Sequence, residues 1–135
     1  MKVVIGTNVF VSSLLNSEGS PRKVIDLWRY EKMTLCLSKP ILEEYFKLLA
    51  RFGLSEKPMG AQFVRFFQMR YKQVFVASPP PVSVVHEDPQ DDKFLGCAVG
   101  AEADFIVSGD RHLLKLKEYE GIPIVTPANL LKAVP

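Results

Sequence analysis

The sequence predicts an α/β fold, a mainly parallel β-sheet wound with helices on both faces, and three observations lead there. Short β-branched runs recur at 2–5, 33–38, 105–108 and 122–126, each too brief for a helix and bounded by Gly, Ser or Pro. Between them lie segments whose apolar residues repeat at spacings of three, four and seven, opened by proline or a capping side chain. Strands and helices therefore alternate, and such strands need helical crossovers, which makes their pairing parallel.

Composition bounds the answer further. With 135 residues, 47% hydrophobic and 24% charged, the chain is expected to form one domain over 1–135 with a real core. A chain this apolar with a net charge of only +2 is not disordered. No apolar run approaches the roughly 20 residues of a membrane span. The N-terminal run MKVVIGTNVFVSSLL is interrupted by Asn8, Ser12 and Ser13 and reads as mature structure, not as a leader. The only cysteines, Cys36 and Cys97, sit in apolar segments, which suits buried thiols in a reducing, cytoplasmic setting. Their spacing from His86 and His112 gives no zinc pattern. Charge is uneven: residues 1–80 carry 12 basic and 6 acidic side chains, whereas 81–135 carry 5 and 9. That split suits either a solvated surface or a cation or nucleic-acid site built from both halves.

In chain order, the strand 2–5 is followed by helices over 8–15 and 20–30, the second with Ser20 as cap and Pro21 at its first position. After the strand 33–38, Pro40 opens a helix with Ile41, Leu42, Tyr45, Leu48, Leu49 and Phe52 on one stripe. Glu44 lies on that stripe's edge, while Glu43 aligns with Lys47 and faces water. A helix over 59–74 presents Phe63, Phe66, Phe67 and Val74 as core or dimer contact. The proline cluster 78–82 is an extended connector. Asp88 caps the next helix, with Pro89 at its first position and Asp91 reaching back to the cap. The strand of ADFIVSGD, a short helix from Arg111, the strand 122–126 and a helix opened by Pro127 complete the chain.

In open parallel sheets, ligands bind beyond the carboxyl ends of the strands, where the strand order reverses. If the first strand neighbours FIVSG, then Thr7, Asn8, Ser108 and Asp110 converge there. Asp92, in the first turn of its helix and in phase with Leu95 and Val99, leans toward the sheet. Glu44, Asp92 and Asp110 each have an ordinary reading as cap or solvated edge. Together they suit a hard divalent ion, because an oxygen-only donor set favours Mg²⁺ or Mn²⁺.

These segments, VVIGTNVFVSSLL, SKPILEEYFKLLAR, DPQDDKFLGCAVGAEADFIVSGDRHLL and IPIVTPANLL, resemble the PIN-domain family across essentially the whole chain, and within it the toxin components of bacterial and archaeal toxin-antitoxin pairs. The resemblance implies a doubly wound parallel sheet and Mg²⁺- or Mn²⁺-dependent endonucleolytic cleavage of RNA. It further implies metal ligands and catalytic acids at Glu44, Asp92 and Asp110, an antitoxin protein as partner, and a homodimer. Asn8, Thr7, Ser108 and Asp91 would support the acids, and Arg22, Lys23, Arg51 and Arg111 would grip RNA phosphates.

The chain departs from the family at one position. Where the family writes V-x-D-T-N, this sequence has Ile5-Gly6-Thr7-Asn8, so the first-strand carboxylate is missing and weaker metal binding and slower cleavage are expected. Gly6 is open to three accounts: a natural loss, a change selected against a toxic activity, or a tolerated change in which water or Asp91 fills the gap. It is not a dinucleotide-binding glycine, because no second or third glycine follows at the required spacing. The alternative function is a non-catalytic PIN domain that binds RNA or an antitoxin.

Overall fold

The computed structural model describes residues 1–83 and 89–134. Its elements run β1 (Lys2–Ile5), α1 (Thr7–Leu15), α2 (Ser20–Arg29), β2 (Thr34–Ser38), α3 (Lys39–Arg51), α4 (Pro58–Gln68), β3 (Gln73–Val76), α5 (Asp92–Ala101), β4 (Phe105–Val107), α6 (Arg111–Leu114), β5 (Glu118–Tyr119), β6 (Ile122–Val125) and α7 (Pro127–Ala133). One sheet of six strands takes the order β3-β2-β1-β4-β6-β5, parallel throughout except for the β5–β6 pair. This is the predicted α/β architecture. The chain winds outward from β1 through β2 to β3, then crosses back to place β4 on the other side of β1. The strand order therefore reverses between β1 and β4, and a crevice opens beyond their carboxyl ends.

Both faces of the sheet are covered, which is why its strands are short continuous apolar runs and not alternating ones. Val3, Val4, Ile5, Leu35, Cys36 and Leu37 are all fully buried. An aromatic cluster drawn from α1 to α4 fills one layer: Phe10 stacks on Tyr45 at 4.3 Å, and Trp28 lies 5.5 Å from Phe67 and 5.6 Å from Phe63. Phe63 and Phe67 are therefore core. Helix α5 packs against β1, β2 and β3.

Three expectations change. The helix expected over 59–74 ends at Gln68, and residues 73–76 form β3 instead. Arg70 and Lys72 both take positive φ, 56° and 39°, which breaks the helical path even though Val74 falls in phase with Phe67. Pairing of Gln73–Val76 with Leu35–Ser38 then outweighs the helical period. Gly19, not Ser20, precedes α2 as its cap. The unforeseen β5 turns into β6 through Glu120 and Gly121, at φ 48° and 81°, the paired left-handed conformation of a tight hairpin. The expected cap at Asp88 lies outside the described residues.

Both cysteines are free and buried. Burial pushes the Cys36 thiol up to about 11 and the Cys97 thiol up to about 12, from an ordinary 9.0. We expect neither to react with a maleimide in the folded protein at neutral pH and both to react once it is denatured; rapid labelling of the native protein would contradict this burial. Because the fold disfavours the thiolates, their contribution to stability is intact below pH 9.0 and declines as pH rises toward 11.

Candidate active site

The crevice is built from the ends of two neighbouring strands. The Gly6 amide, directly after β1, donates to the Val107 carbonyl at 2.8 Å, which pins position 6 to the end of β4. Past β4, the Ser108 hydroxyl accepts the Asp110 amide at 2.9 Å, and the Asp110 carboxylate in turn accepts the His112 amide at 2.7 Å, capping α6. These local bonds fix the Asp110 side chain at the crevice. Helix α3 is anchored to the same place by the buried Tyr45 hydroxyl, which donates to the carbonyl of Ile5, and this brings the adjacent Glu44 to the rim. A 3₁₀ turn, Pro89–Asp91, runs into α5 and delivers Asp91.

The result is a cavity of about 120 Å³ walled by Gly6, Thr7, Asn8, Glu44, Asp91, Ser108 and Asp110, with Val9, Phe94 and Leu113 as its apolar floor. It suits a hydrated ion or one phosphoryl group, whereas organic-ligand pockets start near about 300 Å³. Asp91 and Asp110 both line this cavity, and their side chains interact. Two carboxylates gathered in one small cavity repel each other, and a cation between them would relieve that. Burial raises the Asp110 pKa most strongly, but the bonds from Asp91 and the His112 and Leu113 amides, with the charge of His112, together hold it below its ordinary 3.8. A depressed carboxyl pKa stabilises the fold above its unfolded value, so we expect an Asp110→Asn variant to lose the acid-sensitive part of stability seen as pH falls below 3.8. Matching pH-melting curves for the two proteins would contradict that assignment.

Glu44 is held by Lys93, whose ammonium lies 2.5 Å from its carboxylate. Thr7 is buried on the wall, and its hydroxyl has no hydrogen-bond partner among the described residues. A buried polar atom of that kind suits a water or ion in the cavity. The donor set fits Mg²⁺ or Mn²⁺: every donor is oxygen, and Mg²⁺ is commonly held by one or two carboxylates while it keeps several waters. Among the described residues, no three acids, histidines or cysteines are already drawn together as a cluster. The fit is therefore a two-carboxylate one, Asp91 with Asp110, with Glu44 on the wall.

Of the residues singled out from the sequence, Gly6, Thr7, Asn8, Glu44, Asp91, Ser108 and Asp110 meet in this cavity. Asp92 does not. It lines a separate groove with Pro40, Pro80 and Gly96. Asp91 and Asp92 are consecutive, and neighbouring helical residues differ by about 100° around the axis, so the two carboxylates face different cavities. Asp91 consequently takes the cavity side, and it makes no side-chain capping bond at α5. Arg51 borders a groove of about 370 Å³ with Lys47 and Lys93, which shares Glu44 with the acid cavity. Arg111 is exposed beside Asp110, and Lys23 is exposed on α2. Arg22 is committed to the fold, donating to the Ser13 carbonyl at 2.6 Å. Lys93 was not foreseen, since its partner Glu44 is distant in sequence and nothing local marks the pair.

Among the described residues no helix is long and apolar enough to cross a membrane. Among known proteins, the chain is 33% identical over 121 residues to the uncharacterized protein MJ1680 of Methanocaldococcus jannaschii, covering 87% of this chain and 76% of that protein. The family profile of the PIN domain matches residues 2–112. PIN domains are generally a nuclease fold and typically bind divalent metals. The matched span takes in β1 to β4 and all three acids of the cavity, and by it this chain belongs to the PIN-domain family.

Proposed function

We propose that this protein is a Mg²⁺- or Mn²⁺-dependent endoribonuclease of reduced activity, the toxin of a toxin-antitoxin pair, with RNA as substrate and an antitoxin protein as partner. The observation that carries the nuclease reading is the convergence of Glu44, Asp91 and Asp110 on one small cavity at the strand-order reversal. The toxin role, the antitoxin and a homodimer draw their support from the motifs shared with the family's toxin group.

Asp91 and Asp110 would hold the cation. When bound, it supplies Lewis-acid polarisation of the scissile phosphodiester. The low pKa of Asp110 keeps that carboxylate ionised at neutral pH. Glu44, steadied by Lys93, offers the remaining carboxylate as acceptor for the proton of the attacking water. Ser108 holds Asp110 in place through its amide, and Asn8 presents a carboxamide at the rim. Lys47, Arg51 and Lys93 border the groove beyond Glu44 and suit the flanking phosphates of the strand.

Calorimetric titration of Mn²⁺ separates the two adjacent acids. In a Gly6→Asp background we expect Asp91→Asn to weaken binding by about tenfold or more, as loss of a ligand should. Asp92→Asn should leave it nearly unchanged. The reverse pattern would return the metal to Asp92 and overturn the present assignment. A second reading, a PIN domain that binds RNA or an antitoxin without cutting, is favoured by Gly6 itself. It predicts RNA binding that weakens with salt and ignores chelator.

A further inference from the structure

We infer that the cavity walled by α1, α2 and α7, next to the acid cavity, is a subsite for one nucleobase with its sugar. This pocket has a volume of about 340 Å³, within the range for a small organic ligand and well above the 120 Å³ of the acid cavity. The two cavities share Asn8, Val9 and Gly109, so a group seated in one is adjacent to a group seated in the other. Such adjacency suits a nucleoside attached to the phosphate being attacked.

The wall chemistry selects among occupants. Val9, Pro21, Pro127 and Ala128 supply apolar surface, and Asn8, Ser12, Ser20 and Thr126 supply neutral hydrogen-bonding groups. Among the described residues, no charged side chain lines the pocket. A phosphate would find no cation here, and a metal ion would find no carboxylate. An uncharged heterocycle with an apolar face and polar edges meets both kinds of wall, and a carboxamide such as that of Asn8 can pair with the donor and acceptor on a base edge. The basic groove of Lys47, Arg51 and Lys93 meets the acid cavity at a different wall, through Glu44. A strand crossing the site would thus set a base on the Asn8 side and run its backbone along the Glu44 side. The inference relies on the nuclease reading only for the source of the base.

The test uses uncharged probes without metal. Adenosine and uridine are titrated into the full chain in the presence of chelator, followed by amide NMR shifts. The expected result is saturable shifts at Ser12, Ser20 and Ala128, with Kd on the order of 1 mM. Ala128→Trp and Ser12→Phe, both at exposed positions, fill the pocket; each should weaken binding by about tenfold while the melting temperature is kept. Absent shifts, shifts at other residues, or shifts unaltered by both variants would overturn the subsite, as would equal binding of inorganic phosphate there. If nucleosides bind as expected while Gly6→Asp neither binds Mn²⁺ nor cuts RNA, the pocket stands and the nuclease reading falls. If Gly6→Asp cuts RNA and both filled variants keep its KM, the subsite is excluded and the nuclease reading stands.

Discussion

Gly6→Asp is expected to bind Mn²⁺ about 100-fold more tightly than the unmodified chain and to gain metal-dependent RNA cleavage. The basis is that changes even to groups one step removed from a metal cost 10–100-fold in affinity or activity, and an added ligand carboxylate should act at least as strongly. The backbone admits the change. Gly6 has φ −61° and ψ 147°, a conformation open to any residue, so no turn requires glycine there. A side-chain Cβ would lie 3.3 Å from the Val107 carbonyl oxygen and 3.5 Å from the Ser108 hydroxyl, which calls for a shift of a few tenths of an ångström. Placing a third carboxylate beside Asp91 and Asp110 also carries a charge penalty when no cation is present. We therefore expect the variant to melt lower than the parent in chelator and higher in Mn²⁺, a crossing that a purely structural effect would not produce. Unchanged metal affinity and no cleavage would refute the account of Gly6 as the missing ligand.

Trp28→Ala should be the most damaging single change to the fold. The indole is fully buried among Phe63, Phe66, Phe67 and Tyr71, and its N–H donates to the carbonyls of Tyr71 and Lys72 at 3.1 and 3.2 Å. Truncation leaves a large cavity and two carbonyls without that donor, at a cost of about 3–5 kcal/mol. Domains of this size commonly have roughly 5–15 kcal/mol in total, so the melting temperature should fall by roughly 10–20 °C. Circular dichroism is the suitable probe, because Trp28 is the only tryptophan and its removal abolishes the tryptophan signal. A fall of less than about 3 °C would mean that the cluster closes over the gap, contrary to close packing.

The fold was legible where one local signal dominated. The runs KVVI and IPIV have the length and branching of buried strands, and Pro40 and Pro127 mark helix starts that the structure places at Lys39 and Pro127. Strand β3 was hidden because Phe67 and Val74 are seven apart and extend a helical period; the break lies in the backbone of Arg70 and Lys72, neither of which is a residue that announces a turn. At the site, Glu44 and Asp110 could be placed from spacing alone, since one follows a stripe edge and the other ends a strand. The choice between Asp91 and Asp92 could not. The two are neighbours about 100° apart around the helix axis, and nothing in their local sequence says which of them lies on the cavity side.

The order β3-β2-β1-β4-β6-β5 also governs when this site can exist during synthesis. A nascent chain can pair β1 with β2, and β2 with β3, as soon as they emerge, but the other side of β1 then remains an unpaired edge and the acid cavity lacks a wall. Only when β4 has slotted beside β1, bringing Ser108 and Asp110 with it, does the cavity close. Chains are made from the N-terminus at about 5–20 residues per second, so a ribosome carrying the first 100 residues holds roughly 5–20 seconds' worth of synthesis with no assembled acid cavity. Under the proposed function, that ordering would keep the half-made chain harmless to the message and the ribosome producing it.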